Sequence, residues 1–389
     1  MSAPAYIIAA RRTQIAPRGG ALAALQADEL AAPVLRKILK DAGIPPASVD
    51  QVLLGNALYA GGNPARLAAL RAGLPPGVPA MTVDTQCCSG LDAIILAVRL
   101  IEAGAADCVL AGGAESFSRA PIRSTHPMDK DAEPVPYNRP PFAPSPFADP
   151  DLTEAAARLA EQRGIRRERQ AEFAVSSHAK AIKAQGQMKL VDVLGKEGGT
   201  GDGFTRNLSV RTALRAPVLT GDEKTGVTAA TIACEADGAA AVLLVSDQVW
   251  KASGKPGLKI LAGKSGGGDP ADPALVPIEV AASLFERLAL NAPDFDVIEL
   301  MEAYAVQAMV TADRLGIETS QLNRLGGALA RGHPIGASGA VLAVQLFEMM
   351  LRTSGNAGKI EKSRGLALIA AAGGLGSGLA VERVDCEGG

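Results

Sequence analysis

Aromatic side chains are scarce in this chain: they make up 3% of its 389 residues, with a single Trp. So little ring surface argues against the stacking platforms with which proteins hold single-stranded nucleic acid. An excess of charge of one sign is lacking as well. Lys and Arg number 39 against 41 Asp and Glu, a formal net charge of −2, and the basic residues are scattered along the chain. No basic stripe suited to a phosphate backbone results, which leaves only a local patch for a phosphorylated ligand and no nucleic-acid partner. Uninterrupted apolar runs of about 18 residues are missing too, so no membrane-spanning helix is expected. The opening MSAPAYIIAARRTQ holds too short an apolar stretch for a secretory signal. The closing Cys386-Glu387-Gly388-Gly389 matches neither a prenylation box nor a peroxisomal address.

Cysteine and histidine are also few. The five cysteines, at 87, 88, 108, 234 and 386, are odd in number and irregular in spacing, and no CxxC pair or His-rich cluster accompanies them. Without a secretory signal, that pattern reads as reduced cytosolic thiols, with neither a disulfide framework nor a metal site. A cytoplasmic protein is therefore expected.

What is abundant fits a soluble globular enzyme: 48% hydrophobic and 21% charged residues, 43 Gly and 25 Pro. The length suffices for two core domains, or for one duplicated core with an insertion. Residues 5–10 (AYIIAA) and 51–55 (QVLLG) read as short buried strands, and ADELAAPVLRKILKDAG (27–43) has helical apolar spacing with a Gly stop. After Pro79, AMTV reads as a strand and DTQCCSG as a turn. LDAIILAVRLIEAG (91–104) then reads as a helix and CVLAGG (108–113) as the next strand. This alternation predicts a layered α/β core.

The C-terminal third follows the same logic. GGALARGHPIGASGAVLAVQLFEMML (326–351) runs from a Gly-rich loop into an apolar helix, and GLALIAAAGG (365–374) reads as the following strand. Pairing CSGLDAIILAV with ASGAVLAVQL, each ahead of a strand ending in Gly-Gly, points to an internal duplication. Between the halves, residues 119–150 are dense in Pro and charge and open a mostly helical insert at 151–192. An excursion of this length is a functional lid, an oligomer contact or a mobile surface loop.

Cys87 lies where a helix is expected to begin, and free N–H groups and the helix dipole favour a thiolate at such a place. Ser89-Gly90 behind it let the backbone approach a substrate closely. A free cysteine taken alone reads equally as a small buried hydrophobe. His333 adds the missing partner, since a cysteine nucleophile needs a base within hydrogen-bond reach. It is one of three histidines, and Arg331-Gly332-His333-Pro334-Ile335-Gly336 fixes it in a tight loop. His178 falls on an amphipathic helix as a structural or surface residue, and His126 falls in the Pro-rich excursion.

Several segments in order resemble the thiolase family along nearly the whole chain. They are Gly62-Asn63-Pro64-Ala65-Arg66, Thr82-Val83, Cys87 with Ser89-Gly90-Leu91, and Ala111-Gly112-Gly113-Ala114-Glu115-Ser116. Asp237-Gly238-Ala239-Ala240, Glu302-Ala303-Tyr304-Ala305, and the run from Asn323 to Ala328 and Gly332 to Gly339 complete the series. The resemblance implies a five-layered αβαβα core of two duplicated halves with an inserted loop domain. The corresponding division is 1–118 for the N-terminal half, 119–215 for the insert, 216–250 for the return to the first half, and 251–389 for the C-terminal half. It also implies a homodimer or homotetramer that uses coenzyme A as a co-substrate, with acyl-CoA entering over the loop domain.

By the same resemblance Cys87 is the acylated nucleophile and His333 activates it. Backbone N–H groups of Cys87 and Gly376 would form an oxyanion hole. Ala233, Met301, Ala303 and Tyr304 fall at substrate-binding positions. Arg206 and Arg211, with Arg215 beyond them, either meet a CoA phosphate or are solvated surface charges.

The chain departs from the family pattern where the chemistry lies. A second cysteine is expected in the C-terminal Gly-rich segment, and Ala370 stands there, followed by Ala371-Ala372-Gly373-Gly374. A methyl group cannot carry the α-carbon proton during carbon–carbon bond making or breaking. Met301 replaces the Asn of an Asn-Glu-Ala-Phe motif, and a thioether is a poor holder of an oxyanion-hole water. Losing an oxyanion-hole donor costs on the order of 100–1000-fold in rate. Ala233 replaces a pantetheine-contacting Ser, and two further ligand motifs have no counterpart at 273–277 (PALVP) and 147–154 (FADPDLTE). Three readings follow: acyl transfer through Cys87, an ordinary thiolase with a substitute acid/base, and a non-catalytic acyl-CoA-binding or partner-binding subunit.

Overall fold

The computed structural model describes residues 3–59, 61–195, 201–352 and 363–386. Met1-Ser2 and Glu387-Gly388-Gly389, read above for targeting signals, lie outside the described residues.

Strands whose residues are apolar at successive positions have no solvent face to spare, so they need cover on both sides. The N-terminal half supplies such strands: β1 (Ala5–Arg12), β3 (Gln51–Gly55) and β5 (Cys108–Glu115), with the two-residue β2 (Ala16–Pro17) and β4 (Ala80–Val83). Its helices are α1 (Ala27–Ala42), α2 (Pro64–Arg71) and α3 (Ser89–Glu102). Gln26 and Glu29 cap α1 reciprocally, and Gly43 closes it in the left-handed conformation, the Gly stop expected from sequence.

An excursion follows β5. It holds a hairpin of β6 (Arg123–Thr125) and β7 (Val135–Tyr137), helices α4 (Leu152–Gln162), α5 (Arg167–Lys183) and α6 (Val210–Leu214), and strands β8 (Val218–Thr220) and β9 (Val227–Thr228). The chain then returns through β10 (Ala236–Ser246), which pairs with both β1 and β5, and leaves by α7 (Asp247–Ser253). The C-terminal half comprises β11 (Gly257–Gly267), α8 (Val276–Leu288), β12 (Val297–Leu300), α9 (Ala305–Leu315), α10 (Ala328–Arg331), α11 (Ile335–Arg352), β13 (Arg364–Ala371) and β14 (Leu375–Val384).

The two halves repeat one topology. In the first, β1 pairs antiparallel with β10, β10 antiparallel with β5, and β5 parallel with β3. In the second, β11 pairs antiparallel with β14, β14 antiparallel with β13, and β13 parallel with β12. The duplication expected from sequence is thus present in four strands of each half, while β4, at the edge of the first, has no counterpart among the described residues of the second. Tyr6 and Ile7 pair with Lys259 and Leu258, which joins the halves into one hydrogen-bonded strand order running from β12 to β4. Helices α3 and α11 pack on each other between the halves, α1 and α2 cover the first half, and α8 covers the second. This is the five-layered arrangement.

Glycine permits the central crossing. A Cβ on Gly90 would stand 2.9 Å from Ala340 N, and one on Gly339 would stand 2.6 Å from Leu91 N. No side chain fits there, so the first turns of α3 and α11 meet backbone to backbone. Each turn follows one of the two candidate reactive residues.

Candidate active site

Cys87 sits in a short 3-10 turn, Gln86–Cys88, between β4 and α3. Gln86 has φ 54°, an uncommon conformation for a residue with a side chain. Its N–H and side-chain amide both reach Asp84 Oδ1, at 2.9 and 3.1 Å. Ser89 holds the turn from behind: its Oγ accepts from Thr85 N at 2.9 Å and donates to Gln86 O. Nothing in the local sequence marks this conformation. Cys88 is fully buried, with its thiol toward Ile369 O.

His333 arrives from the other half. Its N–H donates to Cys234 O at 2.8 Å, and Gly332 before it takes φ 106°. The ring Nε2 lies 3.0 Å from Cys87 Sγ, and Nδ1 lies 2.7 Å from Ser338 Oγ. Ser338 Oγ also lies 3.0 Å from Pro334 O, which can only accept, so the serine hydroxyl donates there. It is therefore left as an acceptor for Nδ1–H, and Nε2 carries the lone pair facing the thiol. The result is a relay, Cys87–His333–Ser338, that fixes the tautomer a base needs.

Burial keeps the pair neutral at rest. It pushes the Cys87 thiol up to about 12, although the N–H groups of Ala372 and of Cys87 itself pull the other way. It lowers His333 to about 4. An unprotonated Nε2 thus faces a protonated thiol, without a standing ion pair. Glu115, at the end of β5, clamps the framework. Its carboxylate accepts from Asn56 Nδ2 at 2.6 Å, Ala57 N at 2.9 Å and Gly336 N at 2.9 Å, and burial raises it to about 7. The loop after β3, the end of β5 and the start of α11 are thus held by one carboxyl group.

The other sequence-derived residues divide into two groups. Segment 231–235 runs between the stretches at 303–305 and 333. Ala233 N donates to Ala303 O, Ala305 N donates to Thr231 O, and Ile232 and Glu235 bridge to Tyr304 and His333. Ala233, Ala303, Tyr304 and His333 therefore belong to one connected wall. Tyr304 Oη lies 3.3 Å from Thr153 Oγ1 of α4, a contact with the insert that sequence reasoning missed. Met301 is buried in the same apolar core as Cys87. Ala370 is half-buried and pairs with Gly376 across β13 and β14.

Arg206 is exposed, stacks over Phe204 and lies near Cys234, at the edge of that wall. Arg211 and Arg215 are exposed on and just after α6. His178 is buried and accepts from Arg206 N at 3.3 Å, while His126 is exposed. Glu302, next to Met301, binds Ser177 Oγ at 2.7 Å and Asn323 Nδ2 at 2.6 Å, which ties α5 to the C-terminal half. Among the described residues no group of three or more His, Cys, Asp or Glu side chains could hold a metal ion, and no helix is long and apolar enough to cross a membrane.

A duplicated α/β core presenting a Cys–His pair where its halves meet defines a class of acyl-transfer scaffold. Residues 5–248 match the thiolase N-terminal domain and residues 255–383 the thiolase C-terminal domain. The chain belongs to the thiolase family of acyltransferases. An acetyl-CoA acetyltransferase of Cupriavidus necator is 37% identical over 394 residues, covering 97% of this chain and 98% of that one. The crystal structure of the Bacillus anthracis acetyl-CoA acetyltransferase superposes with a TM-score of 0.87 at 30% identity, covering 98% and 99% of the two chains. Human mitochondrial 3-ketoacyl-CoA thiolase, solved in complex with CoA, reaches the same TM-score at 24% identity, covers 98% of each chain and speaks to the fold alone.

Proposed function

We propose that this chain takes an acyl group from an acyl-CoA onto Cys87 as a thioester and passes it to an acceptor, without an efficient carbon–carbon step. The relay from Cys87 through His333 to Ser338 carries the reading. Cys87 gives its proton to His333 Nε2 and its sulfur attacks the thioester carbonyl. Backbone N–H groups at the Cys87 sulfur, those of Cys87 itself and of Ala372, are the proposed holders of the developing oxyanion, whereas Gly376, expected there from sequence, is paired with Ala370 and Gly266 within the sheet. The CoA sulfur leaves with the proton from His333, and deacylation reverses these roles with the acceptor. Ala233, Ala303 and Tyr304 form the pantetheine side of the site, and Arg206 and Arg211 lie toward the CoA phosphates.

Ala370 offers a methyl group and Met301 a buried thioether, so neither can move the α-proton that C–C chemistry requires. The names of the relatives favour a second reading, ordinary acetyl-CoA C-acetyl transfer with a substitute acid/base. Comparing acetyl transfer from acetyl-CoA to free pantetheine with thiolysis of acetoacetyl-CoA separates the two. The first reading predicts transfer with thiolysis at least about 100-fold slower, and a rise in thiolysis for Ala370→Cys combined with Met301→Asn. Thiolysis as fast as transfer in the unaltered protein would establish the second.

The assembly is proposed to be a cytoplasmic homodimer or homotetramer. The edge strand β4 supports this, with Met81 half-exposed and one side of the strand open. Light scattering on Met81→Lys should show a shift toward monomer.

A further inference from the structure

Helices α4 and α9 pack on each other, and both start at the active-site wall, α4 beside Thr153 and α9 beside Tyr304. Each has 11 residues, so each ends about 16 Å from that wall. At this far end lies a concavity of about 600 Å³, within the range of small-ligand sites. Its floor is apolar, formed by Ile165, Met309, Val310 and Ile317. Its rim carries Arg163, Arg166, Arg169 and Arg314, together with Asp313 and Glu318.

The guanidinium groups of this rim are largely unspent. Arg166 pairs with Glu168 at 3.3 Å, but the side chains of Arg163, Arg169 and Arg314 form no hydrogen bond or ion pair in the described structure. Cations at helix C-termini complement the helix dipole, which accounts for Arg163 and Arg314 singly. It does not account for Arg166 and Arg169, which stand at the N-terminus of α5, where a cation is disfavoured. They share one face at i, i+3 spacing. Guanidinium forks match phosphate oxygens bidentately, and carboxylates among them suit the hydroxyl groups of a sugar. The apolar floor suits a flat base.

We infer that this cleft between the α4–α5 turn and the end of α9 binds a free nucleoside diphosphate, at a site separate from that of the acyl donor. The inference does not rest on the reading of Cys87.

Calorimetric titration of the full chain with ADP and with inorganic pyrophosphate tests it, beside the Arg163→Ala/Arg169→Ala/Arg314→Ala variant. ADP is expected to bind saturably and at least tenfold more tightly than pyrophosphate, and to weaken at least tenfold in the variant. Cys87 in the variant should still be acetylated by acetyl-pantetheine at the unaltered rate, which shows that it is folded. Should the triple variant lose that acetylation, the single Arg169→Gln carries the test with the same expected direction. Absence of saturable ADP binding to the unaltered protein overturns the inference, as does equal ADP binding by the variant. A rise in KM for acetyl-CoA, with none for acetyl-pantetheine, would make the cleft part of the donor site and overturn its separateness.

Discussion

Ser89 in the first half and Ser338 in the second occupy matching places, each directly before the glycine at which α3 and α11 cross. Both turn their hydroxyls back onto the preceding loop, but they hold different things. Ser89 bonds only backbone, Thr85 N and Gln86 O, and so shapes the turn that presents Cys87. Ser338 bonds one backbone carbonyl and the His333 ring, and so sets a tautomer. One duplicated serine thus builds the backbone of the proposed nucleophile in one half and orients the proposed base in the other. The strand ends differ in the same spirit. β5 finishes in the clamp Glu115, while β13 finishes in Ala370-Ala371, which brings no acid or base.

Replacing the base should have the largest effect on this comparison. His333→Ala is expected to slow acetylation of Cys87 by about 100- to 10,000-fold, read from the growth of the acetylated species by intact mass. The crossing comes next. Gly90→Val and Gly339→Val should each lower Tm by several degrees, overpacking by about 1–3 kcal/mol or more, and by similar amounts if the halves are mirror partners. A large loss for one and none for the other would break the symmetry argued here. Ser338→Ala should slow acetylation about tenfold with Tm little changed, whereas Ser89→Ala should cost about 1 kcal/mol of stability. Equal effects of the two serine changes on rate and on Tm would erase the distinction.

The smallest effect is a pH profile. His333, lowered to about 4 by burial, remains an unprotonated base well below its ordinary range. The acetylation rate should therefore hold from pH 8 to about 5 and fall only as pH approaches about 4. The unfolded chain takes up this proton near pH 6.5, so the same burial withdraws stability progressively between those two values. A rate that halves near pH 6.5 would mean an unburied imidazole.

Much of the fold was legible because its strands are apolar runs bounded by Gly and Pro: QVLLG and AMTV are strands over the residues read from sequence. The duplication was legible through Ser-Gly ahead of an apolar helix. Cys87 and His333 could be paired because the chain holds so few candidates of either type. What stayed hidden depends on geometry between distant segments. Nothing local in Glu115 tells that Asn56, Ala57 and Gly336 converge on it, nor in Thr153 that it meets Tyr304. Gln86 conceals its strain because glycine, the usual marker of positive φ, is absent there. Ser338 could have been suspected, five residues beyond a loop-bound histidine, but its hydroxyl direction comes only from the closeness of Pro334 O.

In the proposed reaction Cys87, neutral at rest and paired with His333, becomes an acyl thioester. The most direct test is to mix the protein with acetyl-CoA, quench it in acid and locate the label by peptide mass mapping. One acetyl group is expected on the peptide containing Cys87, removable by hydroxylamine and absent from Cys87→Ala. Acetyl on another residue, or a protein that binds acetyl-CoA and stays unlabelled, would contradict it.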